Sequence, residues 1–204
     1  MSGIYSRLCK HLANFYRYDW YITPFTGANK VTPEKIIEGF DKTSGYLDVF
    51  GCKEYFGEAA LKVMRQGCYY GYLIRTEDGA QVQELPPRYC RSRFSILGRP
   101  AVEFNMKFFD DFYKNKDMRL RVLKMFPKDF QKGYVAYVNG ELPPEEPGDS
   151  SGWYLLDPEL AVKFNINGED YPPFISVIPH IIDLDAAQEL DRKKMAQKLL
   201  KIII

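Results

Sequence analysis

Apolar residues recur at helical spacing in the first third of the chain. Leu8, Leu12, Phe15 and Tyr16 share one face of a helix expected over residues 5–18. Thr32 followed by Pro33 reads as a second helix start, a capping hydroxyl before a proline at the first helical position. Ile36, Ile37 and Phe40 would be its buried stripe. A third helix is expected over residues 51–66, with Tyr55, Phe56, Ala59, Leu61 and Val63 spread widely around it. Gly67 suits the position just past its end.

The period then shortens. Residues 68–75, CYYGYLIR, favour a strand, and residues 81–85 a return strand. Asp78-Gly79 between them suits a two-residue type I′ hairpin turn. Pro86-Pro87 ends the pair. Residues 93–97 and 101–104 read as another strand pair around Gly98, which makes a small antiparallel sheet of about four strands. Helices return over residues 106–113, 117–125 and from Phe126 to about Val138. An acidic, proline-rich loop spans 141–152, and residues 153–157 and 161–166 are strand-like, joined by Pro158-Glu159. Pro172, Pro173 and Pro179 interrupt regular structure. A last helix is expected from Asp185, with Gln188 at capping-box spacing, to Ile204, roughly 30 Å at the usual rise. The fold class is α+β: N-terminal helices over 1–67, an α+β region over 68–180 with a small antiparallel sheet, and a long helix over 181–204.

Composition narrows the picture. The chain has 204 residues, 46% hydrophobic and 27% charged, which is globular and large enough for a core without staples. No apolar run approaches the length of a membrane span, and residues 1–7 lack a signal-peptide layout. Net charge is +1, so a general basic coat for nucleic acid is excluded, though a local patch is not. The four cysteines form no CxxC or CxxxC pair and read as reduced core residues. Aromatic residues reach 15%, including 15 Tyr and 14 Phe, against two His, which leans toward assembly and away from acid–base chemistry.

Candidate chemistry is sparse. There is no glycine-rich phosphate loop, and two histidines, His11 and His180, are too far apart for HExxH. Asp110-Asp111 and Asp183/Asp185 are paired carboxylates, but both fit helix N-terminal regions where the dipole favours them. No catalytic, cofactor or metal residue is assigned. Basic residues are more telling. Arg88, Arg91, Arg93 and Arg99 lie in a stretch free of acids from Leu85 to Val102, with Tyr89 and Phe94 interleaved. Residues 114–132 hold seven bases and two acids. Either stretch can meet phosphate or an acidic neighbour, and arginine favours bidentate pairing.

From Tyr72 onward a succession of short motifs carries a resemblance: LPPRYCR at 85–91 after a DG hairpin, a strand pair, FNMKFFD at 104–110, MFPKDF at 125–130, an acidic loop, and WYLLDP at 153–158. This order resembles the wing region of the portal proteins of tailed bacteriophages, also called head–tail connectors or upper collar proteins, over about two thirds of the chain. The resemblance implies a homo-oligomeric ring, usually of twelve subunits, at one capsid vertex, with double-stranded DNA passing through it during packaging and ejection. It implies contacts with the major capsid protein, the packaging ATPase and neck or tail proteins, and no membrane. It implies a virion location after assembly in the host cytoplasm, and no enzymatic activity or cofactor in the subunit.

On the same resemblance the last helix corresponds to the first stem helix, and family subunits continue into a clip and a second stem helix, so the chain is expected to run on past Ile204. Leu184, Ala187, Leu190 and Met195 can share a face, with Leu199 following. Leu190, Leu199 and Leu200 are expected to bury against other helices, partly of neighbouring subunits. Arg88, Arg91 and Arg93 are expected at subunit or DNA contacts more than in monomer stability. The acidic 141–149 loop and the basic 114–132 segment would be opposed faces of a heterologous interface. Two rival classes stand beside this: a metal-dependent phosphate- or nucleic-acid-processing enzyme using the arginines and a carboxylate pair, and a small nucleic-acid-binding adaptor.

Overall fold

A computed structural model describes residues 3–15, 21–24, 31–76, 79–142 and 152–203, without the side chains of 185 and 198–203. It is mixed helix and sheet. The elements are α1 (Gly3–Phe15), α2 (Pro33–Phe50), α3 (Cys52–Gln66), β1 (Cys68–Arg75), β2 (Ala80–Leu85), β3 (Cys90–Arg91), β4 (Ser95–Ile96), β5 (Arg99–Pro100), β6 (Glu103–Asn105), α4 (Lys107–Phe112), α5 (Lys116–Met125), α6 (Lys128–Val138), β7 (Trp153–Leu155), β8 (Ala161–Asn165) and α7 (Ile178–Ile203). They gather into two compact units, one of residues 1–41, 51–68 and 165–204, the other of 42–50 and 69–164.

The first unit is helical. Its core is Tyr5, Cys9, Met64 and Ile181, flanked by Leu12, Leu61, Ile166, Phe174 and Ile178. The fully buried residues of α1 are Tyr5, Cys9 and Ala13, while the expected Leu8 and Leu12 are half-buried, Leu12 against the core. Cys9 and Ala13 are small and let α1 lie close on α3, while Phe15 is exposed and Tyr16 lies outside the described residues. Tyr5 donates its hydroxyl to the Met64 carbonyl at 3.1 Å, which satisfies a polar tip inside the core. Helix α2 starts at Pro33 as expected, but none of its described residues is buried, and Ile37 and Phe40 are exposed. Gly67 ends α3 at φ 91°, its N–H donating to the Val63 carbonyl. Helix α7 begins seven residues before the expected Asp185. Pro179 falls in its first turn, where a missing N–H costs no hydrogen bond, so it opens the helix and does not interrupt it.

The second unit holds the sheets. β1 is central in a three-stranded sheet, between β2 and β8, and pairs antiparallel with β2 from Tyr70↔Leu85 to Arg75↔Ala80. The Thr76 N–H donates to the Gly79 carbonyl at 2.8 Å, and Gly79 is not among the glycines with positive φ. The hairpin therefore closes one residue earlier than a central Asp78-Gly79 requires; Asp78 itself lies outside the described residues. The single four-stranded sheet is replaced by two three-stranded sheets and a two-residue hairpin. Beyond Pro100 the β4–β5 hairpin adds one more bond, from the Ala101 N–H to the Phe94 carbonyl at 2.9 Å. The chain then resumes pairing at β6, which sits between β3 and β7. The turn after β7 at Pro158 links strands of different sheets.

The aromatic surplus builds the interior of this unit. Phe104, Phe109 and Phe130 are wholly buried. Phe104 meets Phe130 edge to face at 5.2 Å and Phe108 at 5.5 Å. Phe109 meets Phe126 at 5.0 Å and Tyr134 at 5.4 Å, and Tyr72 meets Phe130 at 5.0 Å. Such pairs add about 0.5–1.5 kcal/mol each beyond area burial. The four cysteines are all buried and free of disulfides.

Gly67 gives the sharpest stability test. A Cβ there would overlap the backbone of Tyr171 at a φ that L-residues avoid. Gly67→Ala is expected to destabilise by more than about 2 kcal/mol in urea unfolding. A change within error would mean that the α3 terminus relaxes freely.

Candidate functional site

Register brings the arginine stretch onto one carboxylate. β3 pairs with β6 so that Arg91 lies directly across from Glu103. The Arg91 Nε donates to Glu103 Oε2 at 2.7 Å. Arg93 adds a fork, Nε to Oε2 and Nη2 to Oε1, both at 3.1 Å. The Arg91 guanidinium also lies over the Trp153 ring, 3.9 Å from its centroid. Glu103 is the one buried charged residue recorded among the described residues. Arg91 is thus half-buried and tied to the fold, a partner that a reading of the acid-free stretch missed because Glu103 lies just one residue beyond it. Arg88 is exposed on the turn Pro87–Tyr89, and Arg99 is exposed on β5.

Above this anchor stands the β4–β5 hairpin. Its turn residues are Leu97 at φ 51° and Gly98 at φ 78°, the pair of positive values that a type I′ turn needs. A leucine held there costs about 1–2 kcal/mol of backbone strain. Its side chain is 98% exposed, and Phe94 at the hairpin base is also exposed.

The other candidates resolve differently. The carboxylates of Asp110 and Asp111 face separate partners. Asp110 pairs with Arg119 at 2.5 Å and accepts from Tyr134 at 2.9 Å, while Asp111 accepts from Tyr89 at 2.8 Å. Asp183 is exposed, and the Asp185 side chain lies outside the described residues. Among the described residues, no three His, Cys, Asp or Glu side chains gather as a metal cluster. His180 is exposed on α7, and His11 packs edge to face on Phe15 at 5.1 Å. The basic 114–132 segment forms α5 and the start of α6, with Lys116, Arg121, Lys124, Lys128 and Lys132 exposed. Residues 143–150 of its proposed acidic counterpart lie outside the described residues.

A cleft of about 390 Å³ lies beside Asp129, lined by Tyr72, Arg75, Lys128, Asp157 and Glu159 among others. Asp129 accepts from the Tyr72 and Tyr154 hydroxyls, both at 3.3 Å, and from the Asp157 N–H at 2.8 Å. Burial and the adjacent carboxylate push both phenols above their ordinary range, Tyr72 farther. Sequence spacing offered no signal for this hub, since its members come from β1, α6 and β7.

Helix α7 is largely exposed. Ile182, Leu184, Leu190 and Met195 are exposed, Leu190 by 57%, and only Ile181 among its described side chains is buried. Leu199 and Leu200 lie outside the described side chains. No described helix is long and apolar enough to cross a membrane.

Two outcomes follow from this geometry. Arg91→Ala leaves Glu103 half-paired in a buried position and is expected to cost about 1–3 kcal/mol in urea unfolding. Arg88→Ala should stay within about 0.5 kcal/mol; equal effects would remove the distinction. Second, a tyrosine whose pKa is raised on folding supports the fold below its unfolded value, about 10, and that support is lost as pH rises through the folded value. The melting midpoint should therefore fall above about pH 10, and Tyr72→Phe should flatten that fall. An unchanged alkaline slope in the variant would separate the hub from the pH response.

No protein-family model matches the chain, and neither curated proteins nor solved structures include a significant match.

Proposed function

We propose that this chain is a subunit of a ring-shaped phage portal, through which double-stranded DNA is packaged into and ejected from the head and to which the packaging motor and tail attach. The observation that carries the reading is α7. A 26-residue helix presents four large apolar side chains to solvent in the single chain, beginning directly after the helix's packed first turn. Helices in proteins draw most of their stability from tertiary packing of an apolar face. A helix with an open apolar surface is what a neighbouring subunit would cover, and a ring repeats one heterologous contact through two different faces. The exposed Ile37 and Phe40 of α2 offer further uncovered apolar surface. The metal-dependent alternative has less support, since Asp110 and Asp111 are already engaged by Arg119, Tyr134 and Tyr89.

The test uses the protein with its natural ends. Light scattering and negative-stain imaging should show closed rings with a central hole. Leu190→Asp should abolish them while changing monomer stability by no more than about 0.5 kcal/mol, because the site is exposed. A native-length protein that stays monomeric, or rings that survive Leu190→Asp, would overturn the reading or its use of α7, respectively.

A further inference from the structure

The β4–β5 hairpin combines features that fold stability alone disfavours. Its first turn position demands a left-handed backbone, which asparagine or glycine supplies with the least strain. Leucine occupies it instead, at φ 51° and with nearly its whole side chain in solvent. The residue is unfavourable for the turn and unfavourable for water, so its place is explained by something it touches.

The surroundings identify the chemistry of that contact. Arg99 sits beside the turn, paired across the hairpin with Ile96, and Arg93 lies at the base with a side chain 56% exposed. No acid occurs from Leu85 to Val102. The nearest, Glu103, is already held by Arg91 and Arg93. Every base in this stretch is arginine, whose planar fork matches phosphate. The hairpin is also held firmly. The Ala101 N–H donates to the Phe94 carbonyl at 2.9 Å, and Ala101 and Val102 beneath it are fully buried.

We infer that this hairpin is a wedge for double-stranded DNA, with Leu97 as the side chain pressed against or between base pairs and Arg99 on the adjacent phosphates. A two-stranded ribbon fits a DNA groove, and an apolar wedge flanked by arginine is a known way to engage a duplex through shape and backbone. A lipid surface fits less well, because one leucine and one phenylalanine offer too little apolar area for stable anchoring. The inference names a contact within the portal reading, which supplies DNA as a partner, but it is argued from the hairpin's own make-up. A protein that forms no rings can still pass this test, and one that forms rings can fail it.

The experiment measures fluorescence anisotropy of the whole chain with a short mixed-sequence DNA duplex across a salt series, with anionic phospholipid vesicles as a parallel arm. Wild type should bind the duplex more weakly as salt rises. Leu97→Asn suits the turn, so its melting midpoint should match or exceed wild type, while duplex affinity falls by roughly tenfold. Leu97→Gly serves as a second variant with the same expectation. Arg99→Gln should reduce the slope of log affinity against log salt by about 0.9, one phosphate contact. Folded Leu97 variants that bind as wild type would overturn the wedge. Wild type that binds vesicles but not the duplex, or binds neither, would overturn the assignment to DNA.

Discussion

The second unit depends on what the three-residue strand β6 does with its two faces. Phe104 turns into the aromatic cluster, touching side chains from α4 and α6. Its neighbour Glu103 turns the other way and gathers Arg91 and Arg93. Strand alternation makes this division automatic once the register is set. A slip of one residue would drive the carboxylate into the phenylalanines and leave both guanidinium groups without their acceptor. Burial of a charge is tolerated only because the pairing is complete. Arg91 and Arg93 therefore help to hold the β3–β6 register through Glu103.

Tyrosine serves a related purpose. Asp129 collects two tyrosine hydroxyls and a backbone N–H, Asp110 takes Tyr134 with Arg119, and Asp111 takes Tyr89. In each case an aromatic ring supplies apolar area on one side and its hydroxyl meets an aspartate on the other. Carboxylates that looked like candidates for metal or acid–base work are thereby joined to the framework. Two surfaces stand out: the exposed apolar side chains spread around α7 and the strained, apolar tip of the β4–β5 hairpin. Under the portal proposal the first would meet a neighbouring copy of the chain and the second DNA.

Much of the architecture was legible in the residues. Local signals act over a few positions and need no distant partner: Pro33 at a first helical turn, Gly67 past a helix end, and the β-rich CYYGYLIR run. They determined that the chain is α+β, with helices first, strands in the middle and a long helix last. Only the tertiary structure decided which faces are covered. The deepest positions of α1 went to Cys9 and Ala13, whose small side chains suit close helix packing, and α2 leaves Ile37 and Phe40 of its expected stripe exposed. Pro179 became part of α7 because its position within the first turn, not its identity, sets its effect. The β1–β8 and β6–β7 pairings and the Asp129 hub join residues far apart in the chain. Periodicity carries no information about which of several short strands will meet, since that choice depends on the packing of every other element around them.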